Sequence, residues 1–72
     1  MNERENIRFR LMTNNLTSAW LINMLGRRGV ETDRATMSAI LAGTRKGPKT
    51  VTILSESINI LNDYENWLAG KE

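Results

Sequence analysis

The sequence predicts an all-α domain of four or five helices, and three observations carry that expectation. Apolar residues recur at three- and four-residue spacing, no stretch alternates with a sustained period of two, and no hairpin-type turn pair separates two apolar runs. At 72 residues the chain makes one small domain, whose core is only just large enough to hold a fold. It has no cysteine and no histidine, so neither a disulfide nor a thiolate or imidazole metal site supplements that core.

The first helix is expected from about Glu3 to Thr13, with Ile7 and Leu11 one turn apart. Asn14-Asn15 ends it, because asparagine tolerates the left-handed conformation. A second helix starts after Thr17 as N-cap, carries Leu21 and Leu25 one turn apart, and stops near Gly26 or Gly29. RRGVE is then a loop. The third helix opens on Thr32 or Asp33 as cap and spans Arg34 to Ala42, with Met37, Ile40 and Leu41 as its apolar side and Gly43 as its stop. Gly47-Pro48 resets the chain, and a long fourth helix follows from about Thr50 to Ala69, stopped by Gly70. Neither an internal repeat nor a low-complexity segment interrupts this order.

The fourth helix carries two apolar stripes. Val51, Leu54, Ile58, Leu61 and Leu68 satisfy a core, while Ile53, Ile60 and Trp67 recur at seven-residue spacing on a neighbouring face, with Tyr64 between the last two. The expected core is therefore Ile7, Leu11, Leu21, Leu25, Met37, Ile40, Leu54, Ile58 and Leu61. The second stripe is either covered by the N-terminal helix or free to dock a partner, a weak homodimer included.

The net charge of +2 is too small to argue for nucleic acid, but the charges are unevenly spread. Residues 27–49 hold six cations (Arg27, Arg28, Arg34, Arg45, Lys46, Lys49) against two anions (Glu31, Asp33), whereas residues 50–72 hold one cation against four anions. A solvated charged face explains either segment as well as a ligand does. The polar N-terminus and the lack of any long apolar run argue against a signal segment or membrane span, so a complete, soluble chain in a reducing cytoplasm is expected. Catalysis without histidine or cysteine would rest on carboxylates, lysines or hydroxyls, and no pair of these sits in a glycine-rich or phosphate-cradling context. The expectation is no enzyme, no cofactor and no metal.

LTSAWLINMLG (residues 16–26) followed by ATMSAILAGTRKGP (residues 35–48) resembles the Cro/CI-type helix-turn-helix of phage repressors and related bacterial regulators. That family opens its first motif helix on a leucine-threonine pair and closes it on leucine-glycine, matched by Leu16-Thr17 and Leu25-Gly26. Its recognition helix is matched by Thr36, Met37, Ser38, Ile40 and Gly43, and the likeness covers roughly residues 5–60. In length and in its Gly-Pro-Lys exit from the motif, the chain is most similar to the small early regulators of temperate phages of Gram-positive bacteria. The resemblance implies a lambda-repressor-like fold and a role in the lysis-lysogeny switch of a bacterial host. The chain would be either an antirepressor acting on the N-terminal DNA-binding domain of a CI-type repressor, or a Cro-like repressor binding operator DNA.

Departures from the family pattern favour the protein partner. The turn RRGVETD is long, Ile22 stands where the family has alanine, and Trp20 and Met24 stand where relatives carry charged or polar residues. Ala35 and Ala39 occupy positions that reach the major groove in DNA readers, and alanine makes no bidentate base contact. Glu31 and Asp33 would repel phosphate at the start of the recognition helix. For DNA there remain Arg34, Thr36, Ser38 and the exit cluster Arg45, Lys46 and Lys49. The local alternative is that Thr36 and Ser38 bond within their own helix and that the cluster solvates a loop. The expected partner surface is Trp20 and Met24 with Arg34, Ala35, Thr36 and Ala39, and the stripe Ile60, Tyr64 and Trp67 is its alternative.

Overall fold

Side-chain caps set three of the four helix starts in the computed structural model, which describes residues 1–71. Asn2 accepts from the amide of Glu5 at 2.8 Å and opens α1 (Glu3–Thr13). Thr17 accepts from the amide of Trp20 at 3.0 Å and opens α2 (Ser18–Arg27). Asp33, rather than Thr32, accepts from the amide of Thr36 at 2.7 Å and opens α3 (Arg34–Ala42). Each oxygen satisfies a donor that has no partner inside its helix. The fourth helix, α4 (Pro48–Gly70), has no side-chain cap and begins two residues earlier than the expected Thr50. Pro48 stands at its first turn, where a missing N–H costs nothing and the fixed φ already suits a helix.

The stops are conformational. Asn15 takes φ 56°, which turns the chain so that the amide of Leu16 donates back to Leu11 at 2.8 Å. Gly43 takes φ 82°, and the amide and hydroxyl of Thr44 both reach the carbonyl of Ala39, at 3.0 and 3.1 Å. The domain is all α-helical, with no strand among the described residues.

α1 packs against α3 and α4, and α2 packs against the same two helices. At 1.5 Å per residue the 23 residues of α4 run about 35 Å, close to the 38 Å long axis of the molecule. Ile7 and Leu11 from α1, Leu21 and Leu25 from α2, Met37, Ile40 and Leu41 from α3, and Ile53, Ile60 and Leu61 from α4 form the buried core.

That core corrects the expected register of α4. Ile53 and Ile60, read as a second stripe, are fully buried, whereas Leu54 and Ile58 only pack against the margin of the core and Val51 is 65% exposed. Leu68, also expected inside, is exposed. The physical reason is the pair Thr50 and Ser57, which are buried in line with the two isoleucines. Ser57 donates its hydroxyl to the carbonyl of Ile53 at 2.6 Å, so its polar atom is satisfied within the helix and the residue enters the core at little cost. A serine and a threonine make the buried line read as interrupted in the sequence.

Two arginines tie α4 to its neighbours. Arg10 of α1 grips Glu65 through two bonds of 2.9 Å and reaches Asn62 at 2.7 Å, while the amide of the Asn14 side chain joins Glu65 at 3.0 Å. The Arg10 guanidinium is the main reason the Glu65 carboxyl titrates below its ordinary range, burial opposing and Asn14 assisting. Arg28, just past α2, donates to Glu56 at 2.9 Å and to Asp63 at 2.6 Å. Those carboxylates, Asp63 first, hold its guanidinium above its usual pKa.

Candidate protein-docking cleft

α2 and α4 lie side by side, and the consequence is that the α2 pair of one expected partner surface, Trp20 and Met24, shares a cleft with the α4 stripe read as its alternative. Trp20 and Met24 from α2, Arg28 at its C-cap, and Ile60, Asp63, Tyr64 and Trp67 from α4 line a cleft of about 240 Å³. The spacing does this: four-residue steps on α2 and three- or four-residue steps on α4 each keep one face toward the other helix. Trp20 meets Tyr64 edge to face with ring centroids 5.3 Å apart, and Tyr64 meets Trp67 at 6.0 Å with the planes tilted by 38°. Both separations fall within the range in which aromatic quadrupoles attract.

Burial differs sharply among these residues. Trp67 is 55% exposed, whereas Trp20, Met24 and Tyr64 are partly buried and Ile60 is 1% exposed. Ile60 therefore floors the cleft and is a core residue first, which removes it as an exposed anchor. Trp20 and Met24 also pack against the core, so truncating either perturbs the fold as well as the surface. Beyond the cleft, Lys71 sets its ammonium 4.4 Å from the centroid of the Trp67 ring.

The α3 residues expected beside Trp20 do not join it, since α3 contributes no lining residue to the cleft. Arg34 and Ser38 instead line a larger hollow of about 710 Å³ with Arg8, Leu11 and Met12 of α1, Leu16, Thr17, Ser18 and Ala19 at the start of α2, and Leu41 and Ala42. Ala35 is exposed and Ala39 half-buried, and neither lines this hollow or the cleft. Thr36 is used locally. Its amide and its hydroxyl both hold the Asp33 carboxyl below the ordinary aspartate range, with Arg45 and Lys49 adding smaller contributions.

Asp33 thus caps α3 through one carboxylate oxygen and lies, exposed, in the field of the exit cluster. Arg45, Lys46 and Lys49 are exposed. Lys49 borders a third, shallow hollow with Glu31, Gly29, Val30 and Thr52. Among the described residues no cluster of three or more acidic side chains is placed to hold a metal ion, and no helix is long and apolar enough to cross a membrane.

Arg8 and Met12 were missed by sequence reasoning because they belong to α1, outside the motif. Arg28 and Asp63 were missed because they read as ordinary surface charges. Only the α2–α4 contact makes them the rim of a cleft. Compared with protein families, curated proteins and solved structures, the chain matches none.

Proposed function

We propose that the chain is a phage transcriptional regulator of the lysis-lysogeny switch that acts as an antirepressor, binding the DNA-binding domain of a CI-type repressor and excluding its operator. The sequence resemblance to Cro/CI-type regulators, and more narrowly to the modulator-of-repression antirepressor of a lactococcal temperate phage, supplies the partner. The observation that carries the protein-binding half is the cleft, where Trp20, Met24, Tyr64 and Trp67 present an apolar aromatic surface with a charged rim of Arg28 and Asp63. Interfaces are anchored by desolvated aromatics surrounded by polar groups, and a DNA groove offers no such surface a place to bury. Ala35 and Ala39, on the helix a base reader would use, support the same side.

A titration of the purified repressor domain by calorimetry tests this. Trp67→Ala is the cleaner variant, because Trp67 is exposed while Trp20 also packs on the core. An anchor of this kind contributes about 2 kcal/mol or more, so Trp67→Ala weakens binding by roughly thirtyfold or more with little change in melting temperature. Wild-type affinity in both Trp67→Ala and Trp20→Ala removes the cleft from the interface.

Direct operator binding is the second reading, and one observation favours it. Arg8 and Arg34 line the α1–α2–α3 hollow together with Thr17, Ser18 and Ser38, residue types suited to phosphate oxygens. A gel shift of operator DNA with the chain alone, the repressor alone and both separates the readings. If the chain alone shifts the operator at moderate salt, neutralising Arg45, Lys46 and Lys49 lowers the salt slope by roughly one unit per lost contact, equally for all sequences.

A further inference from the structure

We propose that the hollow between α1, α2 and α3 docks an acidic segment of a protein partner, one that carries two carboxylates beside a large apolar side chain. The inference goes beyond the antirepressor reading, because it assigns a second surface that shares no lining residue with the cleft.

Charge supplies the first argument. Arg8 of α1 and Arg34 of α3 both line the hollow, both are exposed, and neither makes an ion pair among the described residues. Arg10 and Arg28, by contrast, are each held by carboxylates of α4. No aspartate or glutamate lines the hollow. The first turn of α2 adds partial charge of the same sign, since Thr17 caps the amide of Trp20 and leaves those of Ser18 and Ala19 to outside acceptors. Two guanidinium groups from two helices, without an anion between them, are complementary to two carboxylates, which a guanidinium grips through paired N–H bonds.

The lining supplies the second argument. Beside the arginines stand Leu11 and Leu41, both buried, the half-buried Leu16, and Met12, which is 67% exposed. The volume of about 710 Å³ falls within the roughly 300–1,000 Å³ of sites that bury a small ligand, so several side chains fit where a lone ion would leave most of the space to water. A phosphodiester strand would satisfy the arginines but bring nothing to bury against Met12 and the leucines. A fatty acid would bury its chain but offer one carboxylate to two arginines. An acidic peptide with an apolar side chain uses both features. The basic operator-facing surface of a repressor domain has the wrong sign for this hollow, so its occupant is a different segment from the one assigned to the cleft.

Amide NMR of the full chain tests this, read at Ser18, Ala19 and Ser38 in the hollow, with the Trp67 indole N–H as control. The capped peptide Glu-Leu-Phe-Glu is expected to shift the hollow signals saturably, less tightly as salt rises, and to leave the indole in place. Gln-Leu-Phe-Gln, Glu-Ala-Ala-Glu and octanoate are each expected to bind roughly tenfold more weakly or not at all. Arg8→Ala and Arg34→Ala each weaken the acidic peptide by roughly two- to fivefold, the range of an exposed ion pair, and Met12→Ala weakens it by roughly twofold or more. Equal binding of the glutamine peptide, the alanine peptide or octanoate would overturn the proposal, as would no saturable shift with the acidic peptide at millimolar concentration. A short duplex DNA that shifts the same amides more tightly, and does so unchanged in Met12→Ala, overturns it in favour of nucleic acid. Shifts that follow protein concentration alone place a second copy there and also overturn it. Repressor binding lost in Trp67→Ala with the acidic-peptide response intact supports both readings, and a failure at either surface leaves the other standing.

Discussion

Replacing Ile53 by alanine tests the register of α4, on which the cleft depends. Ile53 is wholly buried and stands one turn before Ser57, whose hydroxyl bonds its carbonyl, so truncation removes apolar atoms from the centre of the core. Truncating a buried isoleucine costs about 2–5 kcal/mol, through lost transfer energy and the residual cavity. A domain of 72 residues holds roughly 4–11 kcal/mol in total at the usual stability per residue. The variant therefore loses from a fifth of its stability to all of it, and melts roughly 8–40 °C lower at about 4–8 °C per kcal/mol. Val51→Ala, two residues away on an exposed position, stays within about 0.5 kcal/mol of the parent. Thermal melts followed by circular dichroism, with urea titrations for the free energies, provide both values. Should Ile53→Ala fail to fold, Ile53→Val, at about 0.5–1.5 kcal/mol, gives the same comparison. A larger loss for Val51→Ala than for either Ile53 variant would refute the register and with it the geometry of the cleft.

Two further outcomes follow from the caps and ion pairs. Glu65 has its native pKa depressed, mainly by Arg10, so its stabilising contribution is complete above the ordinary glutamate value of about 4.3 and is lost as pH falls through the lower native value. Melting temperature should fall across that acidic window in the parent and fall less in Glu65→Gln; parallel pH profiles would rule out the Arg10 pair as the cause. Gly43→Ala should cost about 1–2 kcal/mol in urea unfolding, the strain of φ 82° on a residue with a Cβ, because the Arg4 guanidinium that such a Cβ meets is a flexible end able to move aside. If Arg4→Ala restored most of the loss, collision rather than backbone strain would be its source.

The helices, the caps at Thr17 and Asp33 and most of the core were legible in the sequence because they are local or periodic properties. Thr17, Asp33, Asn15 and Gly43 act within one turn of where they stand, and Ile7, Leu11, Leu21, Leu25, Met37 and Ile40 repeat at helical spacing. Helix α4 lay beyond that reach. Its apolar residues cover two adjoining arcs, and nothing within the helix says which arc faces inward. Tertiary packing of α1 and α2 chose the arc of Ile53 and Ile60, helped by the self-satisfied hydroxyl of Ser57. The same choice set Tyr64 and Trp67 beside Trp20 while leaving α3 outside the cleft. Residues more than forty positions apart became one surface through interhelical packing, a relation that periodicity along a single helix does not encode.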